Sequence, residues 1–368
     1  VLAVLLLGAS AQAQTASPSS RATASDRAIQ NFWTPERLLA ARPVTPTPGR
    51  DFRPLPLPAT PQSAGEPEIW APGAGPARPD DRSLARRLHA PIEDTAPPPA
   101  SVAPANTSST GAYFTTARVH PDATVSAAPY RIAGKLFAYN PVSRATLNCS
   151  ASVIRPRLVV TAGHCVYHAG PTSDEGSSNR YFYTNITFVP AYTNGSAPYG
   201  SWSYAWVIVS GTWASGGGRV PNAQDVAILE TADKSGTKIS AYTGYFGYGT
   251  GGLSPNHLTI IGYPCNIDAC KRMQHTNAAA HAIGSNNTVI YGSAMSGGAS
   301  GGPWVQDFGI AGSGSPSGTG RNILRSVSSY GPSTAGPLYL GGSILNSSGT
   351  GSFGAMMSTA CAHRAGNC

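Results

Sequence analysis

Two short segments of the chain carry residue types that can build a nucleophilic catalytic site. Thr161-Ala-Gly-His-Cys165 follows the apolar run Arg157-Leu-Val-Val160, which predicts His164 at the end of a strand. Gly297-Gly-Ala-Ser-Gly-Gly-Pro303 places Ser300 in a glycine-dense turn. Glycines tolerate backbone conformations closed to other residues and leave room for a substrate carbonyl. A serine hydroxyl in such a turn becomes nucleophilic when an imidazole takes its proton.

A third segment supplies a carboxylate. Asp225 directly precedes Val226-Ala-Ile-Leu229, a predicted buried strand. A buried carboxylate needs a cationic or hydrogen-bonding partner, and an imidazole can be that partner. Each segment alone also has an ordinary interpretation, as a structural histidine, a Gly/Ser loop or a turn before a strand. The three together predict a His–Asp–Ser site.

The elements that must hold these residues are predicted to be β-strands. Only 11% of the residues are charged, while 42 are Gly and 32 are Pro, which disfavours a helical bundle. From about residue 111, runs rich in Val, Ile, Tyr and Thr alternate with Gly, Asn and Ser turns, and no long stretch has helical periodicity. This pattern predicts an all-β domain, sandwich or barrel. Examples of the predicted strands are Tyr130–Tyr139, Ala151–Ile154, Arg157–Thr161, Tyr181–Phe188, Trp202–Val209, Val226–Leu229, Leu258–Ile261 and Thr288–Tyr291.

Two segments of different composition precede this domain, which we place at residues 113–368. Residues 1–13 belong to the apolar opening VLAVLLLGASAQAQ, which is too short to span a bilayer. We interpret this segment as a truncated signal peptide. Residues 14–112 contain 18 of the 32 prolines and no cysteine. We interpret them as a mostly irregular pro-segment with one short helix near Pro35–Ala41. A disordered linker without an inhibitory role is the alternative. The expected location is secreted and extracellular.

All six cysteines lie in the β domain, and an even number in an exported chain indicates disulfides. Cys149 lies 16 residues before Cys165, within reach across a hairpin, and such a bridge would stabilise the turn that carries His164 by about 3 kcal/mol. Proximity suggests that the others pair as Cys265–Cys270 and Cys361–Cys368, although six cysteines permit 15 pairings. A zinc site is the competing interpretation, but no second Cys/His pair has the required spacing. We therefore expect no metal and no cofactor.

The net charge of +8 is not concentrated in one place. The longest basic run in the β domain is Lys271-Arg272. A dispersed charge of this kind indicates a generally basic surface and does not indicate a nucleic-acid partner. We expect a monomer that binds neither nucleic acid nor a membrane.

Together the three segments resemble the trypsin/chymotrypsin family of serine endopeptidases, over roughly residues 118–331. The order of His164, Asp225 and Ser300, with intervals of 61 and 75 residues, suits that family's double β-barrel. The resemblance implies two six-stranded antiparallel β-barrels of chymotrypsin-like type after a largely irregular pro-segment. Within the family the chain is most similar to the bacterial glutamyl endopeptidases, on Ala128-Pro-Tyr-Arg131, Tyr199-Gly-Ser201, Gly244-Tyr-Phe-Gly-Tyr-Gly249 and Ile261-Gly-Tyr-Pro264.

The resemblance also implies roles for single residues. Ser300 would be the nucleophile, His164 the general base and Asp225 the residue that orients the imidazole. The backbone N–H groups of Gly298 and Ser300 would form the oxyanion hole. Protein or peptide substrates and the chain's own pro-segment would be the binding partners. The residues implied for substrate binding are Ala294, Met295, Ser328, Ser329, Tyr330 and Gly331, with Ser328 or Ser329 also supporting the buried Asp225.

Two departures from the family pattern affect activation and specificity. Ala299 stands where trypsin-like enzymes have the Asp that binds a new amino terminus, so removal of the pro-segment must act differently, for example by uncovering the cleft. Ala294 stands where trypsin has a carboxylate, Met295 stands where glutamyl endopeptidases have Thr, and residues 301–362 contain no His. We therefore expect a preference for neutral side chains, with Glu as the alternative.

Two other functions fit parts of the sequence. Gly298-Ala-Ser-Gly-Gly302 also satisfies the G-x-S-x-G pattern of α/β-hydrolase esterases. That fold needs alternating strands and helices, with its catalytic Asp and His after the Ser. In this chain the only histidine after Ser300 is His363. A non-catalytic binding module on the same fold is the other alternative.

Overall fold

The part of the chain that the structure describes forms 22 strands in a computed structural model. The structure describes residues 16–44, 46, 48, 52–57, 69–92, 112–170, 179–222, 224–253, 256–284, 288–309, 321–332, 338–349 and 351–368. The predicted signal peptide lies outside these residues.

The strands are β1 Ser19–Arg21, β2 Arg42–Pro43, β3 Leu55–Pro56, β4 Trp70–Ala71, β5 Arg86–Arg87, β6 Phe114–Arg118, β7 Ala133–Tyr139, β8 Thr146–Val153, β9 Leu158–Thr161, β10 Tyr167–His168, β11 Tyr181–Phe182, β12 Thr184–Pro190, β13 Ser196–Ala197, β14 Trp202–Val209, β15 Ala227–Thr231, β16 Gly247–Gly249, β17 His257–Gly262, β18 Gln274–Gly284, β19 Thr288–Gly292, β20 Pro303–Gln306, β21 Ile323–Tyr330 and β22 Tyr339–Ile344. The helices are α1 Asp26–Phe32, α2 Pro35–Leu39, α3 Gly211–Ser215, α4 Ser240–Thr243 and α5 Phe353–His363. Short 3-10 turns cover Asp122–Ser126, Tyr130–Ile132, Gly163–Cys165 and Asp268–Cys270.

Two antiparallel barrels are formed by these strands, and each closes on itself. In the first barrel the order is β12-β7-β8-β9-β15-β14, and β14 pairs again with β12. In the second barrel the order is β20-β17-β18-β19-β22-β21, and β21 pairs again with β20. The predicted two six-stranded chymotrypsin-like barrels are confirmed. Closure pairs every strand edge of the barrel and encloses one side of each strand as core.

All eight strands predicted from the sequence exist, with shifted ends, and α2 confirms the predicted short helix. Its cap is Thr34, whose side chain accepts a hydrogen bond from the Arg37 N–H, and Pro35 occupies the first turn. Several elements were not named from the sequence, among them β18 and α5. Strand β18 is rich in Ala, Asn and His, and is held by pairing with neighbouring strands, while α5 contains Gly, Ser and Thr. Among the described residues, no helix has the length and apolar character needed to cross a membrane.

The six cysteines pair in the structure as the sequence suggested. Disulfides join Cys149 to Cys165, Cys265 to Cys270 and Cys361 to Cys368. The first two flank the segments that carry His164 and Ser300. The third closes the end of α5, which lies against the first barrel through a stack of His363 on Trp206.

Residues 16–92 are called here the N-terminal block, and the described residues of this block lie against both barrels. On the first barrel, β1 pairs with β14, β2 with β8, and β5 with the hairpin strand β13. On the second barrel, β3 pairs with β18, while β4 pairs with β16, which extends the sheet beyond β21. Backbone pairing therefore docks the described parts of the block onto both barrels, each of which closes through its own strands.

His89 is the most buried titratable group of the block. Its ring contacts the Ala90 carbonyl at 2.7 Å and the Tyr192 hydroxyl at 2.8 Å, and it is 5% exposed. Burial, with smaller effects from the positive charges of Lys135 and Arg87, lowers the pKa of His89 below its usual 6.5. Burial also lowers the pKa of Lys135 to about 7.

Acidification should loosen this part of the block. Because the pKa of His89 is lowered in the docked state, docking stabilises the neutral imidazole. The contribution of His89 to the free energy of docking is therefore complete above about pH 6.5 and decreases as the pH falls below that value. Lys135 acts in the same direction, but the stabilisation that its neutral form contributes is nearly all lost by about pH 7. We expect faster hydrogen exchange at the Leu88 amide, which is bonded to Gly195, at about pH 5.5 than at about pH 7.5, after correction for intrinsic rates. The change should vanish in His89→Gln; an equal change in that variant would contradict the assignment.

Candidate active site

His164 is fixed by the end of β9 and by a disulfide. The strand ends at Thr161, a 3-10 turn covers Gly163–Cys165, and the Cys149–Cys165 bridge ties that turn to β8. Gly163 is necessary for this approach, because a Cβ there would lie 2.7 Å from Cδ1 of Trp213. The imidazole is therefore held between a strand end and an indole ring.

Asp225 orients the imidazole through two contacts. Its Oδ2 lies 2.7 Å from His164 Nδ1, and its Oδ1 accepts a hydrogen bond of 2.9 Å from the His164 backbone N–H. The Ser329 hydroxyl donates to the same Oδ2 at 2.6 Å. Asp225 is fully buried, so these three donors replace the water that a carboxylate would otherwise bind. Since an ionised carboxylate offers no hydrogen, Nδ1 must donate, which leaves Nε2 of a neutral ring as the acceptor.

Ser300 lies beside this pair in a turn that touches both partners' segments. Its carbonyl accepts from the N–H of Ser150 in β8, and the next N–H, of Gly301, donates to the Ser328 carbonyl. Gly301 has a φ of +75°, and a Cβ there would overlap Thr161 Oγ1, so only glycine fits between the two barrels at this point. The three sequence segments therefore converge where the barrels meet.

No hydrogen bond joins the Ser300 hydroxyl to His164 among the described contacts. The hydroxyl donates a 2.9 Å hydrogen bond to the carbonyl oxygen of Val44 in the N-terminal block. His164 Nε2 is buried and has no hydrogen-bond partner in the described part of the chain. His164 Nε2 is therefore present as an acceptor for the serine proton, but the Ser300 hydroxyl donates that proton to the Val44 carbonyl.

The backbone of residues 297–302 presents two N–H groups. The Gly297 carbonyl accepts from Cys265, and the Ala299 carbonyl accepts from Gly302. Because N–H and C=O of a trans peptide point in opposite directions, the Gly298 and Ser300 N–H groups point away from these partners. Within the described residues neither N–H has an acceptor. The resemblance implies these two N–H groups as the donors of an oxyanion hole, and that role stays a prediction.

The predicted pocket residues occupy one region of the second barrel. Ser328, Ser329 and Tyr330 lie at the end of β21, and Met295 is 2% exposed in the loop before Ser300. Of the two adjacent serines, Ser329 is the one that supports Asp225, while Ser328 accepts from the Trp304 indole at 2.9 Å. Adjacent strand residues face opposite sides, which separates their roles. The remaining two members are Ala294, half-buried, and Gly331, buried.

Two alternatives can be tested on this geometry. Cys149, His164 and Cys165 are close enough to suggest a metal site, but both cysteines are in a disulfide and offer no thiolate. His363 contacts Glu230 at 2.7 Å and stacks on Trp206, so it belongs to the α5 contact and not to the Ser300 region. The two closed antiparallel barrels exclude the α/β-hydrolase fold from which the esterase interpretation was drawn.

Sequence reasoning missed two residues at the site. The ring of Trp213, in α3, lies 6.2 Å from the imidazole centroid of His164 and is nearly fully buried. Val44 supplies the acceptor for Ser300 from a position 256 residues away. No local pattern marks either residue, because both roles arise from long-range packing.

Part of the chain is similar to two curated bacterial proteins, and no family model matches it. The glutamyl endopeptidase of Bacillus licheniformis is 30% identical over 180 residues, 48% of this chain and 49% of the relative. The extracellular metalloprotease of Bacillus subtilis is 28% identical over 141 residues, 38% of this chain and 40% of the relative. The chain thus spans half or less of the length of these relatives.

Solved structures of proteases are also similar to the chain. The protease Anisep from Arthrobacter nicotinovorans is 25% identical, covering 58% of this chain and 90% of that one, with a TM-score of 0.48. The thermostable serine protease AL20 from an extremophilic microorganism is 26% identical, covering 62% and 94%, with a TM-score of 0.49. Because these TM-scores lie below 0.5, the fold assignment rests on the closed strand order itself.

Two closed six-stranded barrels with a buried His–Asp pair beside a serine turn define the chymotrypsin-like class of proteins. The predicted resemblance to the trypsin/chymotrypsin-like serine endopeptidases, and among them to the glutamyl endopeptidases, is confirmed.

Substitution of Gly163 by Ala should destabilise the site without changing a polar group. The added Cβ would lie 2.7 Å from the Trp213 ring and 3.1 Å from Asp225 Oδ1, and such overpacking costs about 1–3 kcal/mol. Thermal unfolding should therefore begin at a lower temperature. Gly331→Ala is the matched control, because nothing lies within 4 Å of a Cβ there. Equal midpoints for the two variants would contradict the packing described.

Proposed function

We propose that the protein is a secreted serine endopeptidase made as a precursor, with His164, Asp225 and Ser300 as its catalytic triad. The observation that carries this proposal is the buried Asp225–His164 pair. Within the described residues, His164 Nε2 has no hydrogen-bond partner, and the Gly298 and Ser300 N–H groups of the same junction have no acceptor. A nucleophile, an oriented base and oxyanion donors are the parts that acyl transfer requires.

The mechanism follows from these positions. Ser300 Oγ attacks the scissile carbonyl while His164 Nε2 takes its proton, and the imidazolium that forms is stabilised by Asp225. The Gly298 and Ser300 N–H groups bind the oxygen as it becomes negative. His164 then gives the proton to the leaving amine, and water hydrolyses the acyl-enzyme by the same route. These residues complete the cycle with no cofactor-dependent step.

The pocket residues favour substrates with neutral side chains. None of the six is a Lys, Arg or His, and a Glu side chain bound there would lack a cationic partner. The similarity to a glutamyl endopeptidase keeps cleavage after Glu as the alternative.

Secretion and precursor processing are supported by the composition of the chain and by its relatives. One relative is named as extracellular, and the apolar opening of residues 1–13 fits an exported protein. The N-terminal block lies between the predicted signal peptide and the β domain, where a pro-segment would lie.

Replacement of Ser300 by Ala should abolish casein cleavage, and Asp225→Asn should lower kcat by about ten-thousandfold, because it leaves the imidazole in the wrong tautomer. Both are measured after removal of the N-terminal block. A fluorophosphonate reagent should label Ser300 in the parent enzyme. Labelling without peptidase activity would indicate an esterase, and absence of labelling would indicate a binding module; either result contradicts the proposal.

Cleavage of a peptide library should show a preference for neutral residues before the scissile bond. The expected kcat/KM for apolar or small residues exceeds that for Glu by about tenfold or more, because a carboxylate buried without a partner is costly. A strong preference for Glu would contradict the pocket assignment while leaving the triad intact.

A further inference from the structure

The segment Ala41–Val44 lies in the junction that holds Ser300. Strand β2 runs parallel to β8, with Arg42 opposite Leu147 and Pro43 opposite Asn148. The Asn148 side chain donates a 2.6 Å hydrogen bond to the Ala41 carbonyl. Val44 is 6% exposed, and its carbonyl accepts from Ser300 Oγ. Backbone contacts therefore fix this segment on the nucleophile.

The block continues from Ser300 onto the predicted pocket strand. Pro46 and Pro48 are buried, and the ring of Phe52 lies edge-on to Tyr330 with centroids 5.9 Å apart. Strand β3 then pairs with β18 of the second barrel. The described residues thus cross from the first barrel to the second over both the nucleophile and a pocket residue. With the block in place, Ser300 is 5% exposed and His164 is 3% exposed.

The Val44 carbonyl is held in a position that does not lead to cleavage. Attack requires the serine oxygen to approach the carbonyl carbon and the serine proton to go to His164 Nε2. Here the proton is donated to the Val44 oxygen, and Nε2 has no described partner. Neither the Gly298 nor the Ser300 N–H donates to that oxygen among the described contacts. The carbonyl therefore occupies the site as a hydrogen-bond acceptor and not as an electrophile.

Helices α1 and α2 anchor this segment on the first barrel. The Trp33 indole donates a 2.6 Å hydrogen bond to the Asn185 carbonyl, and the Phe32 ring packs on Tyr139 with centroids 4.9 Å apart. In α2, Leu38 is 5% exposed and belongs to the main core, whereas its neighbour Leu39 is 51% exposed. The anchor is therefore apolar and lies just before the inhibitory contact.

We propose that the cleft between the barrels is a docking surface for the chain's own Ala41–Val44 and Phe52, which inhibit the enzyme by occupying Ser300 and Tyr330 in a non-productive pose. This inference rests on the proposed peptidase function. It explains how a chain with Ala299 before its nucleophile can be latent, since the site is complete and only covered. Removal of the block then activates by exposing the cleft.

The test uses the full chain and a fluorophosphonate reagent that reacts with an accessible serine. Wild type, Leu38→Ala and Leu39→Ala are compared by intact mass, with the labelled site mapped by peptide analysis. Loss of the buried leucine should raise the labelling rate of Ser300 by about tenfold or more, because it weakens the anchor. Leu39→Ala, the same change on an exposed position of the same helix, should label at the wild-type rate.

A second variant covers the case in which Leu38→Ala fails to fold. Phe52→Ala removes the contact with Tyr330 and should also label faster than wild type. If wild type and both loosened variants label equally fast, the inhibitory contact is refuted while Ser300 remains a reactive serine. If no form labels, including the loosened ones, the proposed peptidase function itself fails. The intact mass of each sample shows whether the block is still attached during the measurement.

Discussion

The hydrogen-bonded carboxylate of Asp225 is the interaction on which the arrangement of the site depends. Moving an unpaired carboxylate into the interior costs several kcal/mol, so a fully buried Asp225 requires donors from its surroundings. Two donors come from His164 in the first barrel, and the third is Ser329 at the end of β21 in the second. The need to compensate one charge therefore fixes the imidazole and joins the two barrels at the same point.

The two disulfides near the site act on the same geometry from either side. Cys165 follows His164 directly, and its bridge to Cys149 restrains the 3-10 turn against β8. Cys265 is bridged to Cys270, and its N–H binds the Gly297 carbonyl, which orients the peptide before Gly298. His164 and the Gly298 N–H group are thus held by covalently closed loops, and groups on restrained loops need little rearrangement when a ligand binds.

A preassembled site also makes the position of the N-terminal block consistent with latency. The block adds one acceptor, the Val44 carbonyl, to a site whose His–Asp contact is already formed. Its anchors lie outside the junction, in β1, α1 and the His89 contact with Tyr192. Control can therefore be exerted through docking strength, without refolding of the barrels.

The sequence by itself determined the features that depend on local pattern. The apolar β-branched runs identified eight strands, Pro35 marked the first turn of α2, and short spacings indicated the three disulfides. The segments around His164, Asp225 and Ser300 were recognisable because each combines a reactive residue with a strand end or glycine turn. Local propensity and spacing act over a few residues, so one sequence is enough to detect them.

Tertiary structure alone decided the remaining features. Strand β18 is stabilised by its neighbours and not by its own composition, so it could not be found from propensity. The choice of Ser329 over Ser328 depends on which face of β21 meets Asp225. The contact of Val44 with Ser300 joins residues 256 positions apart. Such contacts depend on how the barrels and the N-terminal block pack together, and no pattern within a single segment encodes that packing.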